Sequence, residues 1–166
     1  SYAILNNKEV IIIDPADYKS ILTFINDNQL SLKAILLTHH HIDHTAGVEG
    51  ILNKIEVPIY SPNKKIKFTT ITVKDNDTID LDFIKIEVIA TPGHTMDHVV
   101  FYSKENTILF SGDTLFRLGC GKIFEGTYEQ MFTSLQKIYK LDSRTKVYCG
   151  HEYTNTNLNF LLSIFP

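Results

Sequence analysis

Residues 38–44 read THHHIDH, placing four histidines and an aspartate in seven positions of a chain with seven histidines in all. The stretch follows an apolar run, KAILLT (33–38), with the character of a strand, so the imidazoles stand where a strand runs out. His39 and His41 are one residue apart and share a side of an extended segment. Asp43 and His44 follow a change of direction and face a neighbouring position. The stretch is either a polar surface accident or half of a metal cage, and the remaining polar clusters decide between them.

Those clusters recur in one setting. TPGHTMDH (91–98) follows IEVIA, SGDTLF (111–116) follows TILF, and GHEYT (150–154) follows KVYC, so each polar segment is placed at a strand end. Alone, His94 or His151 would be an ordinary polar residue near a strand end, and Asp113 after Gly112 an ordinary turn residue. Together they supply what divalent metals accept, neutral imidazole nitrogen and carboxylate oxygen. His94 can join His39 and His41 around one ion, and His151 can join Asp43 and His44 around a second. Asp113, with two oxygens, can bridge the pair, as in two-metal centres with ions roughly 3.5–4 Å apart. His40 and His98 are left for packing or for supporting ligands from behind.

Composition narrows the setting. At 166 residues the chain fits one domain, 1–166, and with 43% hydrophobic and 21% charged residues it is an ordinary globular sequence. A net charge of −3 offers no broad basic surface for nucleic acid or anionic lipid. No apolar run approaches the roughly 18 residues of a membrane helix, and no charged leader precedes an apolar signal core. The expectation is a cytoplasmic protein without nucleic-acid or membrane partners, its oligomeric state open. Cys120 and Cys149 are read as reduced thiols.

Strands are expected at 9–14, 33–38, 82–91, 98–103, 107–112 and 146–150, with shorter ones at 2–5, 58–60, 68–73 and 78–81. Tyr18, Ile21, Leu22 and Ile25 line one face of a helix with Pro15 in its first turn. Met131, Leu135 and Ile138 line a second, and Thr127 with Gln130 forms a capping box. Short helices are expected after His44 and from about Asn155. Helices outside packed sheets, an α/β class, accommodate this order.

The motifs T-H-x-H-x-D-H, P-G-H-T, G-D-T and G-H-E, in this order, resemble the metallo-β-lactamase superfamily. The resemblance implies an αββα sandwich with a metal site at one edge of its two sheets. Within the superfamily, GDTLFRLGCGKIFEGT (112–127) and YCGHEYT (148–154) are similar to glyoxalase II, the hydroxyacylglutathione hydrolases. That similarity implies His39, His41 and His94 on one ion, Asp43, His44 and His151 on the other, and Asp113 between. It also implies Lys122, the ring at position 124 and Tyr153 as glutathione contacts. The family commonly has Tyr where this chain has Phe124, and Gly where it has Asp97.

The activity so implied is hydrolysis of S-2-hydroxyacylglutathione thioesters, S-D-lactoylglutathione to D-lactate and glutathione, in methylglyoxal detoxification. The cofactors would be two divalent ions, zinc first, with iron or manganese as alternatives. A water shared by two cations has its pKa lowered from about 15.7 toward about 7, and the hydroxide so formed would attack the thioester carbonyl. Asp43 would orient that water, alongside Asp113 as the second catalytic carboxylate. Cys120 is not needed as a nucleophile and is read as a small residue packed between glycines. Three other readings share the ligands: a hydrolase of another thioester or ester, a mono-iron persulfide dioxygenase, and a catalytically silent metal-binding domain.

The family normally continues into a helical C-terminal domain, whereas this sequence stops at Pro166 after NLNFLLSIFP (157–166). A helix apolar on nearly every side is normally buried on nearly every side. Leu158, Phe160, Leu161, Leu162, Ile164 and Phe165 therefore either pack into this domain or lack the cover that a second domain would give. The start, SYAIL, likewise resembles a family strand entered partway, so a truncated copy or an incomplete chain is expected.

Overall fold

The run EVIII carries apolar side chains on both faces, which suits a strand covered on both sides. In the computed structural model, which describes residues 1–165, that strand lies inside a sandwich. With elements numbered in chain order, the first sheet runs β1 (Tyr2–Asn6), β2 (Glu9–Ile13), β3 (Ser31–Leu36), β4 (Ile59–Ser61), β5 (Ile71–Thr72). β1 is antiparallel to β2, and the other neighbours are parallel. The second sheet runs β12 (Lys146–Cys149), β9 (Ile108–Gly112), β8 (Val99–Ser103), β7 (Lys85–Ala90), β6 (Thr78–Asp80). Here β12 is parallel to β9 and the remaining pairs are antiparallel.

Period-two alternation sends the two faces of each inner strand to different cores. Ile11, Ile13, Ala34 and Leu36 of the first sheet meet Val88, Val99, Phe101 and Phe110 of the second between the layers. Val10, Ile12, Ile35 and Leu37 face outward and are covered by Ile21 and Ile25 of α1 (Tyr18–Asp27) and Val48 and Ile51 of α3 (Val48–Leu52). On the far side Val100, Tyr102 and Leu109 pack against Ile138 of α4 (Tyr128–Tyr139). The architecture is the αββα sandwich.

Several expectations are corrected in detail. Helix α1 is capped by Asp17, whose carboxylate accepts from the N–H groups of Lys19 and Ser20, so Pro15 precedes the helix rather than entering its first turn. Tyr18 is partly exposed, and Ile21 and Ile25 form the buried stripe. The short helix after His44 is two helices, and the first, α2 (Ile42–Thr45), begins before it, with His41 at its N-cap. The strand expected at 68–73 is only β5. A small hairpin, β10 (Leu115–Phe116) with β11 (Gly119–Cys120), was not anticipated, and Cys120 is exposed on it rather than packed. The capping box of Thr127 and Gln130 starts α4 as expected.

The tail forms α5 (Thr154–Ile164), and none of its residues is buried; Phe160 is 63% and Leu162 56% exposed. Leu158, Ile164 and Phe165 are exposed as well, so these side chains do not pack into the core among the described residues. The chain has no described helix long and apolar enough to cross a membrane.

The feature that positions chemistry is the common direction of five strands. β2 and β3 are parallel, β9 and β12 are parallel, and β7 and β9 are both antiparallel to β8. All five finish at one edge, where Asp14, the 38–44 stretch, the 91–98 loop, Asp113 and His151 follow them. The sheets are tied there by Val99 N–H donating to Thr38 O at 2.9 Å, while Gly150 N–H donates to Gly112 O at 2.8 Å and extends the pairing of β12 with β9 within the second sheet.

Candidate metal centre

At this edge the seven residues singled out by spacing come together. Nε2 of His94 is 3.0 Å from Nδ1 of His41, and His39 completes a group of three potential ligand atoms with them. His44 and His151 form a second group with Asp43. Asp43 Oδ2 lies 3.7 Å from His44 Nε2 and 3.1 Å from His151 Nε2. Asp113 sits between the groups, its Oδ1 3.3 Å from His44 Nε2 and its Oδ2 3.5 Å from His94 Nε2 and 3.4 Å from His151 Nε2.

These spacings suit metal ligation. Two ligand atoms about 2.1 Å from a tetrahedral ion lie roughly 3.4 Å apart, and the contacts above scatter around that separation. Three of the atoms are buried without hydrogen-bond partners: His39 Nε2, His44 Nε2 and Asp113 Oδ1. Orphaned polar atoms of this kind are costly unless something else satisfies them. Bound divalent cations would satisfy them, since each atom offers a lone pair.

The hydrogen bonds behind the ligands set which nitrogen is free. Asp14 is buried at the end of β2 with φ +49°, a left-handed conformation that aspartate tolerates better than most residues. Its Oδ1 accepts from Thr38 N–H at 2.8 Å and its Oδ2 from Thr38 Oγ1 at 2.7 Å. His44 Nδ1 is 2.9 Å from the same Oδ2. Nδ1–H of His44 is thereby committed to Asp14, and Nε2 faces the cluster. Thr38 Oγ1, having donated to Asp14, accepts from His39 Nδ1 at 3.0 Å, which bares Nε2 of His39 in turn. His94 Nδ1 donates to the carbonyl of Lys122 at 2.7 Å. These three candidate ligands are held in their tautomers from outside, the usual arrangement around a metal.

Electrostatics follow burial and neighbours. Burial, then the facing imidazoles of His98, His44, His94 and His41, push His39 far below its ordinary value. Burial and His94 lower His41. Both rings are held neutral, the form that binds metal. At His44 burial acts downward, but the carboxylates of Asp113 and Asp14 outweigh it and raise the ring to about 10. At Asp113 burial acts upward and is outweighed by His44, His151 and His94, which hold the carboxyl below its ordinary value. Without a cation, a proton on His44 partly fills the same role.

His98 supports the centre without facing it. Its Nε2 accepts the N–H of Asp113 at 3.0 Å, and its Nδ1 lies 3.0 Å from the hydroxyls of Thr91 and Thr114. The ring stacks on His39 at 4.8 Å between centroids. Gly112, at φ +48°, lets this happen, because a Cβ there would stand 2.7 Å from His98 Nε2 and from Thr38 Oγ1. Gly150 has a similar duty, since its Cβ would collide with Asp113 Oδ1.

The three residues assigned to substrate line the rim. Phe124 sets its ring edgewise on His41 and His94, with centroids 5.5 and 5.3 Å away. Lys122 Nζ lies 4.9 Å over the Phe124 ring. On the opposite flank Tyr153 stacks on His151 at 5.3 Å. All three are exposed. Sequence reasoning missed Asp14 and Thr38; the signal was an acidic residue closing an otherwise apolar strand, IIID, directly beneath the histidine stretch.

Comparison with known proteins adds relatives to this geometry. Residues 1–151 match the family described as metallo-beta-lactamase superfamily. A hydroxyacylglutathione hydrolase of Idiomarina loihiensis is 44% identical over 163 residues, covering 97% of this chain and 64% of the relative. The chain thus spans a little under two thirds of that protein's length. Among solved structures, ETHE1 from Myxococcus xanthus superposes with a TM-score of 0.82 at 26% identity, covering 92% of this chain and 70% of that one. TTHA1623 in a di-iron-bound form superposes with a TM-score of 0.77 at 26% identity, covering 91% and 86%.

Proposed function

The chain belongs to the metallo-beta-lactamase superfamily, and from that premise we propose that it hydrolyses S-2-hydroxyacylglutathione thioesters, S-D-lactoylglutathione foremost, in the cytoplasm. The 44% identical hydroxyacylglutathione hydrolase supports the substrate class. The observation that carries the hydrolytic reading is the Asp113 carboxylate, whose two oxygens reach His44 on one side and His94 and His151 on the other.

In this reading residues 1–166 act as one catalytic unit holding two divalent ions, zinc in the first instance. His39, His41 and His94 would hold one ion and Asp43, His44 and His151 the other, with Asp113 available to both. Such ions would supply Lewis acidity and a water made nucleophilic at neutral pH. The chain's own residues do the rest. Asp43, the most exposed of the seven, would accept a hydrogen bond from the attacking water and orient it toward the thioester carbonyl. The C–S bond breaks with thiolate as the leaving group, so no protein acid is required. Lys122 meets a glutathione carboxylate as a point charge and Tyr153 donates a hydrogen bond from the other flank. Phe124 packs against the substrate without the hydroxyl a tyrosine would add.

The test pairs metal analysis with hydrolysis of S-D-lactoylglutathione. Two metal equivalents with turnover support the proposal. One iron with oxygen uptake from glutathione persulfide would replace it by a dioxygenase, and metal without either activity by a silent metal-binding domain.

A further inference from the structure

His40 turns away from the seven clustered residues and lies between two carboxylates. Its Nδ1 is 3.0 Å from Asp97 Oδ1, and its Nε2 is 3.3 Å from Glu125 Oε1. Both carboxylates are tied further. Asp97 Oδ1 accepts from Thr95 Oγ1 at 2.7 Å and its Oδ2 from Asn63 Nδ2 at 3.3 Å, while Glu125 Oε2 accepts the N–H of Met96 at 2.7 Å. His40 offers a different nitrogen to each carboxylate, so the three side chains form a chain of contacts through one ring.

The chain joins three loops. His40 belongs to the stretch with His39 and His41, Asp97 to the loop with His94, and Glu125 to the segment with Lys122 and Phe124. Apart from the packing of Phe124 on His41, the hydrogen bonds of that last segment run along one side, to the His94 loop. Lys122 O accepts from His94 Nδ1, Phe124 N–H donates to His94 O at 3.1 Å, and Gly126 N–H donates to Gly93 O at 3.1 Å. Bonds along a single line leave a segment free to tilt about it. The contact of Glu125 with His40 falls off that line and fixes the tilt.

We propose that His40, Asp97 and Glu125 form a clasp that orients the segment 122–126 against the metal-ligand loops, so that Asp97 and Glu125 are positioning residues for thioester affinity and not for the chemical step. The affinity part rests on the function proposed above. Asp97 contributes by holding His40 toward Glu125, and its side chain, 13% exposed, is the least exposed of the three. Glu125 contributes by carrying the segment to that ring.

Asp97→Ala, Glu125→Ala and their double variant test this in the metal-loaded full chain. Each single change should raise KM roughly two- to fivefold, the scale of a part-exposed polar contact, with kcat within about twofold. Metal equivalents should not change. Amide hydrogen exchange at Phe124 and Gly126 should quicken in each variant, and the double variant should exceed neither single effect by its full factor, because both act through one ring. In a His40→Ala background the two changes should add little. Unchanged exchange at Phe124 and Gly126 overturns the clasp whatever the activity, as does loss of kcat and metal with KM intact. A wild-type chain that binds metal but leaves the thioester untouched defeats the proposed function, and the exchange result still decides the clasp.

Discussion

The carbonyl oxygen of Lys122 accepts a hydrogen bond from Nδ1 of His94 at 2.7 Å, so one residue presents its main chain to a candidate ligand and its side chain to the proposed substrate. The two duties can be separated by mutation. Lys122→Ala keeps the carbonyl and removes the ammonium. KM for S-D-lactoylglutathione should rise roughly tenfold, the scale of one charge-assisted contact at a wet rim, while metal analysis returns the wild-type content. Gly121→Ala does the reverse, because its Cβ would collide with the carbonyl of Asp113; it should lose metal and rate together.

Asp113→Ala should lower metal occupancy and cut the rate by at least on the order of 100-fold. The carboxylate is within 3.5 Å of three imidazoles, and no neighbour can replace both of its oxygens. Retention of two metal equivalents in this variant would remove Asp113 as the bridge.

Asp14→Asn addresses the support behind His44. Asparagine accepts the left-handed backbone at this position, so the fold should persist, but one oxygen becomes an amide and the bonds from Thr38 and His44 cannot all be kept. Metal affinity should fall roughly 10- to 100-fold, measured by competition with a chelator. An unchanged affinity would mean that packing alone orients His44.

The chelated protein should be most stable near pH 6.5, the ordinary histidine value. On the acid side His39 and His98 are held below that value, His98 at about 3, so unfolding takes up protons and stability drains away as pH falls. On the alkaline side His44 is raised to about 10, so it keeps a proton that the unfolded chain has released, and stability drains away as pH rises toward that value. Each buried imbalance is worth about 1.4 kcal/mol per pH unit. Thermal unfolding from pH 4 to 9 checks this. Metal loading should abolish the alkaline decline, because the ion displaces the proton on His44.

Much of this centre is legible in the sequence because ligand spacing is local. THHHIDH carries its geometry within seven residues, and the strand preceding each polar cluster fixes where it emerges. What stayed hidden depends on distant pairs. Asp14 meets His44 across thirty positions, and in the sequence it reads as punctuation before Pro15. Asp17, two residues further, caps the helix whose first turn was expected to hold that proline. The hairpin at 115–120 escaped notice because each of its strands has two residues, too few for periodicity to register. In α5 the apolar composition is plain, but whether such a face is covered depends on what lies beside it.

His39, His41, Asp43 and His44 follow a strand of one sheet, whereas His94, Asp113 and His151 follow strands of the other. Any ion held by both sets is therefore a rivet through the two layers. Its affinity becomes a measure of how firmly the layers are pressed together, and a core substitution such as Phe101→Ala, at a fully buried residue between the sheets that is no candidate ligand, should loosen the metal by prising the sheets apart.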